Sequence, residues 1–233
     1  ESRAEYMHRC ADAVRSRTHD IAVTLTLEQG KPLNDSIKEV TESAAAIDFF
    51  AEEGKRLRGE LIPGDTADVI GLVAKQPVGV CVAITPWNYP VSLLSWKVGP
   101  ALAAGCTVVA KPSSDTPLSS IEFARCFAES DCPRGIVNVV TGSGGSLSRA
   151  LIENPISRKI ALTGSSEVGM KVAELAGRCL KRVSLELGGH SPCLVFGDCD
   201  LELAAREAVR RSFRNMGQIC NAVNRVFVHA SVA

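Results

Sequence analysis

The chain has 233 residues, with 26 Lys plus Arg against 26 Asp plus Glu and a pI near 7.1, a balance that excludes the basic surface of a phosphate-backbone binder. With 45% hydrophobic residues, 19 Gly and 11 Pro, it reads as one or two globular domains of roughly 100 to 200 residues each, and disorder, collagen and long coiled coil drop out. Its apolar runs, such as 79–85 and 106–110, fall far short of the roughly 18 residues that cross a bilayer, so no membrane segment is expected.

The opening ESRAEYMHRC has no initiator Met and no secretory leader, and the chain stops just past VFVHASVA; both ends read as cuts from something longer. The first sixty residues carry helical periodicity, with Met7, Cys10, Ala11 and Val14 on one face and Ile37, Val40, Ala44, Ile47 and Ala51 on another, which predicts two amphipathic helices. Gly30 with Pro32 closes the first, because Gly accepts the left-handed C-terminal position and Pro cannot continue a helix, and Asn34 caps the second. Residues 59–66, GELIPGDT, read as a linker.

From Val69 onward short β-branched runs at 78–85, 107–110, 136–140, 159–162 and 182–187 alternate with candidate helices at 93–104, 117–129, 146–154 and 166–176. Such alternation predicts an α/β fold, a parallel sheet covered on both faces. A further strand at 193–196 and a helix at about 201–213 follow Gly188-Gly189 and read as the start of a second domain, which divides the chain into 1–187 and 188–233. Parallel sheets bind ligands beyond the carboxyl ends of their strands, so chemistry is sought in the residues just after each run.

After the run 78–85 comes Pro86-Trp87-Asn88-Tyr89-Pro90, whose two prolines stiffen a turn and hold an amide able to donate to an oxyanion; an Asx-turn without a chemical role is the plainer alternative. The next run ends at Lys111, with Ser114 and Asp115 nearby, where an ammonium can meet ribose hydroxyls or phosphate; a solvated edge lysine is the alternative. The run 159–162 leads through Thr163-Gly164-Ser165-Ser166-Glu167-Val168-Gly169 into a helix, whose free N–H groups and dipole suit a diphosphate. It is no P-loop, because G-K-[ST] is required and Met170 follows Gly169.

The run RVSLEL places Glu186 before Gly188-Gly189, where a carboxylate either activates water or is a salt-bridged strand residue. Nine cysteines, odd in number and without a C-x2-C pair, fit neither a disulfide framework nor a zinc ribbon. Free thiols point to a reducing compartment, the cytoplasm or one like the mitochondrial matrix. Cys220, in FRNMGQICN, has a loop-like setting set apart from the helices and strands expected for the other eight, which makes it the nucleophile candidate, although an inert thiol is the commoner role for any one cysteine. The four histidines lack ligand spacing, and no metal is expected.

PWNYP, AAGCTVVAKPSSDTP, LTGSSEVG, LELGGHSP and FRNMGQICN follow one another along the whole chain, and together they resemble the aldehyde dehydrogenase superfamily, within it most of all the succinate-semialdehyde dehydrogenase group, whose complete members are about twice as long. The resemblance implies a Rossmann-like parallel sheet with helices on both faces, plus the beginning of a catalytic domain. It places the oxyanion-hole asparagine on Asn88, the general base on Glu186 and the nucleophile on Cys220. Contacts to NAD or NADP fall on Thr85, Pro86, Trp87, Lys111, Gly164 to Gly169 with Ser165 at the diphosphate, and the backbone of Leu187. It also implies a homo-oligomer, with the hairpin-like stretch 60–76 serving subunit contacts.

Two departures stand out. NAD-preferring members carry a glutamate three residues after the lysine, and this chain has Ser114; a neutral hydroxyl does not repel a 2′-phosphate, so NADP is expected to be accepted. Members acting on succinate semialdehyde carry an arginine where this chain has Trp96 before Lys97, while a second arginine of that group is matched by Arg214. One carboxylate clamp is kept and the other lost. Asn221 and Ala222 follow Cys220, so the redox switch built on a neighbouring cysteine is not expected. Attack by Cys220, an oxyanion held by Asn88, and hydrolysis through Glu186 would turn a small aldehyde into a carboxylic acid. Glu186 also separates the chain from coenzyme-A-acylating relatives. The alternative is an inactive NAD(P)-binding fragment or pseudoenzyme.

Overall fold

The structure is a computed structural model describing residues 2–233. It opens with three helices where the periodicity predicts two: α1 (Ser2–Ser16), α2 (Thr18–Gln29) and α3 (Leu33–Lys55). The extra break falls at Arg17, whose backbone leaves helical geometry (φ −109°, ψ 14°); no Gly or Pro marks it, so the periodic pattern runs on through it. The predicted faces point inward: Met7, Cys10, Ala11 and Val14 on α1 and Val40, Ala44, Ile47 and Ala51 on α3 are buried, and Ile37 is half-buried against the same core. Gly30 ends α2 with φ 89°, its N–H donating to the Thr26 carbonyl, which is the left-handed closure that favours glycine. Asn34 is not the cap of α3. Pro32 holds that position instead, with φ −56° and ψ 143° and no N–H to satisfy, so the helix starts at Leu33, two residues earlier than a cap at Asn34 would set it.

The segment expected as a linker holds β1 (Glu60–Pro63), paired antiparallel with β2 (Ile70–Val73) in the register Leu61↔Leu72 and Ile62↔Gly71. Pro63 and Gly64 mask the strand in the sequence because both are turn formers, yet Pro sits at the strand's last residue, a position that tolerates it. Leu61, Ile70 and Leu72 project from this hairpin more than 70% exposed.

The body of the chain is β3 (Val80–Ile84), α4 (Pro90–Ala103), β4 (Thr107–Lys111), α5 (Leu118–Glu129), β5 (Val137–Val139), α6 (Gly144–Glu153), β6 (Ser157–Thr163), α7 (Ser166–Arg178) and β7 (Arg182–Glu186). The five strands form one parallel sheet in the order β5-β4-β3-β6-β7. Period-two alternation divides β3 between two cores: Ala83 packs with Val108, Ala110 and the α1–α5 side, and Val82 and Ile84 pack with Ile160, Leu162, Ile152, Val172 and Ala176 on the α6–α7 side. Each fully buried Phe, Leu or Ile in these layers contributes roughly 1.5–3 kcal/mol, and Phe123 and Phe127 are among the largest.

Strand order reverses between β3 and β6, since the chain runs outward from β3 to β5 and then crosses back to β6. A crevice at such a reversal, beyond the strands' carboxyl ends, is where this architecture holds ligands. Past the sheet, β8 (Pro192–Val195) pairs in parallel with β9 (Arg225–Val228), and α8 (Leu201–Phe213) lies between them in sequence. Asp200 caps α8 by accepting from the Leu203 N–H at 3.0 Å. Among the described residues no group of three metal-ligating side chains comes together, and no helix is long and apolar enough to cross a membrane.

Candidate active site

Thr85, Pro86, Lys111, Ser114 and Gly164 line one cleft of about 910 Å³ at the switch point between β3 and β6. Lys111 ends β4 only 4% exposed; its Nζ donates to the Pro112 carbonyl at 3.0 Å, and burial lowers its ammonium from the usual value. The Thr85 hydroxyl is buried without a hydrogen-bond partner, a state that native structures seldom leave uncompensated and that a ligand in the cleft would relieve. Ser114 donates to the Gly142 carbonyl at 3.2 Å. Trp87 is 37% exposed, with its carbonyl accepting from the Thr116 hydroxyl, and it does not line the cleft.

The nest at the start of α7 is held from both sides. The Gly164 N–H donates to the Glu186 carbonyl at 3.0 Å, and the Ser165 hydroxyl caps the helix by accepting from the Val168 N–H at 3.3 Å. Gly169 faces Leu187 rather than the cleft, and a Cβ there would lie 2.6 Å from a Leu187 methyl. Its hydrogen is what lets β7 come close to α7. The sequence reading missed a second helix start: Gly144 and Gly145 open α6 and, with Arg149, line the same cleft. The run T-G-S-G-G after β5 was the available signal.

Asn88 sits in the turn between β3 and α4. Its Nδ2 donates to the Gln218 carbonyl at 2.8 Å, two residues before Cys220, while its Oδ1 is buried without a partner. Glu186 ends β7, and three residues on, Gly189 lies so near the Cys220 carbonyl that a Cβ would be 3.1 Å from it. Asn88 and Gly189 therefore both meet the loop that carries Cys220. Cys220 is exposed. Its loop is reached through the turn Arg214–Gly217, in which Asn215 and Met216 have φ 50° and 58° and Gly217 has φ 75°, a left-handed run that needs surrounding contacts to persist. The contrast drawn with the other cysteines is corrected: Cys106, Cys132, Cys179 and Cys199 also lie outside helices and strands, so loop placement does not single out Cys220. What lies near it is the Asn88 amide, on the Gln218 carbonyl, and Gly189, against the Cys220 carbonyl.

The Arg214 guanidinium lies 5.6 Å from the Tyr89 ring centroid, next in sequence to Asn88. Arg214 therefore lies against the residue that follows Asn88.

The sequence profile of the aldehyde dehydrogenase family matches residues 1–233. The chain belongs to this family. It is 45% identical over 232 residues to the NADP(+) succinate-semialdehyde dehydrogenase of Escherichia coli K12, covering 100% of this chain and 48% of that protein. To the glutarate-semialdehyde dehydrogenase of Pseudomonas aeruginosa it is 43% identical over 232 residues, with the same coverage, 100% and 48%. The crystal structure of an NADP-dependent E. coli enzyme superposes with a TM-score of 0.96 at 45% identity, covering 99% of this chain and 48% of that one. The chain therefore spans about half the length of the curated relatives it matches.

Two further features of this aldehyde dehydrogenase chain escaped the sequence reading. Lys97, on α4, donates to the Thr163 hydroxyl at 2.6 Å; burial pulls its ammonium down to about 8, against the opposing charge of Glu186. Lys31 and Glu39 form an ion pair at 2.5 Å with both side chains 1% exposed. Burial lowers Lys31 and raises Glu39, and the charge of each opposes the shift of the other.

Proposed function

We propose that this chain forms the dinucleotide-binding half and nucleophile loop of an NAD(P)-dependent enzyme that oxidises a small aldehyde to a carboxylic acid. The observation that carries this reading is the Asn88 amide on the carbonyl of Gln218, which brings the turn after β3 to the loop of the reactive thiol. In the proposed reaction the Cys220 thiolate attacks the aldehyde carbon, and the Asn88 amide and the Cys220 N–H hold the oxyanion. Thr85, Lys111, Ser114 and the Gly164–Ser165 nest fit a dinucleotide, supported by the partnerless Thr85 hydroxyl; bound there, NAD or NADP supplies the electron acceptor. Glu186 then deprotonates the water that cleaves the thioester from sulfur.

The substrate we propose is a semialdehyde with an acidic far end. Arg214, close to the ring of the Tyr89 that follows Asn88, supports it, as do the activities of two relatives, a succinate- and a glutarate-semialdehyde dehydrogenase. Trp96, 57% exposed on α4, replaces a second cation with an apolar wall, so recognition of the carboxylate rests on Arg214. The exposed apolar β1–β2 hairpin supports contact with a second copy, and nine free thiols support a reducing compartment. We divide the chain into a cofactor-binding unit, 1–187, and the beginning of a catalytic unit, 188–233.

Replacing Glu186 with Gln in the full-length enzyme tests the reaction. A fast first turnover of reduced cofactor followed by a slow steady state is expected, because only hydrolysis needs the base; loss of the burst itself would contradict the assignment.

A further inference from the structure

We infer that Lys31 and Glu39 are positioning residues that hold Asn88 in the orientation oxyanion binding requires, an inference that rests on the reading of Asn88 given above. The Lys31 ammonium donates to Glu39 Oε2 at 2.5 Å and to the backbone carbonyl of Asn88 itself at 2.8 Å, and it lies 3.7 Å from the centroid of the Tyr89 ring. The other carboxylate oxygen of Glu39 accepts the N–H groups of Val91 and Ser92 at 3.0 and 3.1 Å. Residues 88–92 are thus gripped at both ends by one ion pair.

The local sequence offers no substitute for this grip. The N-terminal residue preceding α4 is Tyr89, which makes no side-chain capping bond, and Pro90 opens the helix without an N–H. The first free amides of α4 are those of Val91 and Ser92, and the carboxylate that satisfies them comes from α3, about fifty residues earlier in the chain. Glu39 therefore caps α4 from a distance and adds a negative charge at the positive end of its dipole.

Stability alone does not account for the pair. Charges buried this deeply gain little over well-packed apolar residues of the same volume, since desolvation cancels most of their attraction. What an apolar pair cannot do is donate to the Asn88 carbonyl and accept two amides at once. The wider network points at the same residue: Gln29 accepts from the Lys31 N–H and donates to Asn215 Oδ1, whose Nδ2 reaches the carbonyls of both Asn88 and Gln218 at 3.4 Å. Arg214 and Asp35 are the remaining charges near the Lys31–Glu39 pair and Tyr89.

The test uses the full-length enzyme carrying Lys31→Met with Glu39→Gln, which removes the charges together and leaves neither buried alone. Hydride-transfer burst rate, aldehyde KM, cofactor binding by titration and thermal melting are measured for the wild type, this pair, Asn88→Ala and all three changes combined. The pair is expected to slow the burst roughly ten- to hundredfold, the scale of a small misplacement, with KM and cofactor affinity little moved. Asn88→Ala is expected to slow it by roughly a hundredfold or more, and adding the pair to it to slow the burst no further. A pair with the wild-type burst, or one with the same fractional loss in both backgrounds, overturns the inference. A wild-type burst in Asn88→Ala is a separate outcome that sinks the oxyanion reading and the positioning with it. Should Lys31→Met with Glu39→Gln not fold, Lys31→Gln with Glu39→Gln serves in its place. Its side chains can bond each other, but Gln is one atom too short to keep the Asn88 carbonyl, so the same loss is expected.

Discussion

At the scale of single residues, the proposed acceptance of NADP turns on Ser114. Its hydroxyl is tied to the Gly142 carbonyl and lines the cleft, so the position contributes no charge of its own. Ser114→Glu in the full-length enzyme would set a carboxylate against a 2′-phosphate, and kcat/KM with NADP is expected to fall by at least about tenfold relative to NAD. An unchanged ratio would show that this corner does not meet the adenosine ribose. Asn88, Lys111, Ser114 and Glu186 can be nominated from the sequence because each lies at or just after the end of a strand run, and Cys220 because of the FRNMGQICN motif around it. Lys31, Glu39 and Lys97 are not legible. Lysine and glutamate ordinarily face water, and nothing local in E-Q-G-K-P or S-W-K-V shows that a third element will close over them.

Among the elements, the α1–α3 contact should respond to pH through His8. Its Nδ1 meets Asp48 at 2.6 Å and its Nε2 meets Glu52 at 2.8 Å, and these hydrogen bonds, Asp48 first, raise the imidazole above its usual 6.5. A raised folded-state pKa means that the contribution is complete below about 6.5 and disappears as pH climbs through the folded value. With the side chain 37% exposed, solvent limits it to about 1 kcal/mol or less. The Tm gap between wild type and His8→Gln is therefore expected to be wider at pH 6 than at pH 9, and equal gaps would refute the linkage. The α3–α4 crossing is tighter. A Cβ on Gly99 would lie 2.6 Å from a Phe50 ring carbon and 3.3 Å from the Phe50 Cβ, and Phe50 is already wedged edge-on between Phe49 and Trp96. Gly99→Ala gains about 1 kcal/mol of helix propensity but incurs about 1–3 kcal/mol of overpacking, so a lower Tm is expected; an equal or higher one would show that the ring can yield. The strand and helix alternation was readable because period two and period 3.6 differ sharply. The break at Arg17 and the strand at Glu60–Pro63 were not, since one lacks a breaker residue and the other ends on Pro63 with Gly64 next.

For the whole molecule, one parallel sheet collects the ends of β3, β4 and β6 around the cleft, while β7 ends at Glu186, three residues before the Gly189 that meets the Cys220 loop. A dinucleotide filling that cleft binds only the folded chain, so at about a hundred times its dissociation constant it should add about 2.7 kcal/mol. Calorimetric melting of the full-length enzyme with each dinucleotide should show an upward shift, and indifference to both would count against the cleft. The parallel sheet followed from the alternation alone, but the reversal of strand order between β3 and β6 could not, because pairing order depends on which crossover helix covers which face. One consequence lies in the bond from the Asn88 amide to the Gln218 carbonyl. An amide nitrogen carries two N–H donors, and this bond uses one of them. On the proposed reading the second remains open to an arriving oxygen while the first keeps the Cys220 loop latched, so holding the loop and receiving a substrate need not compete.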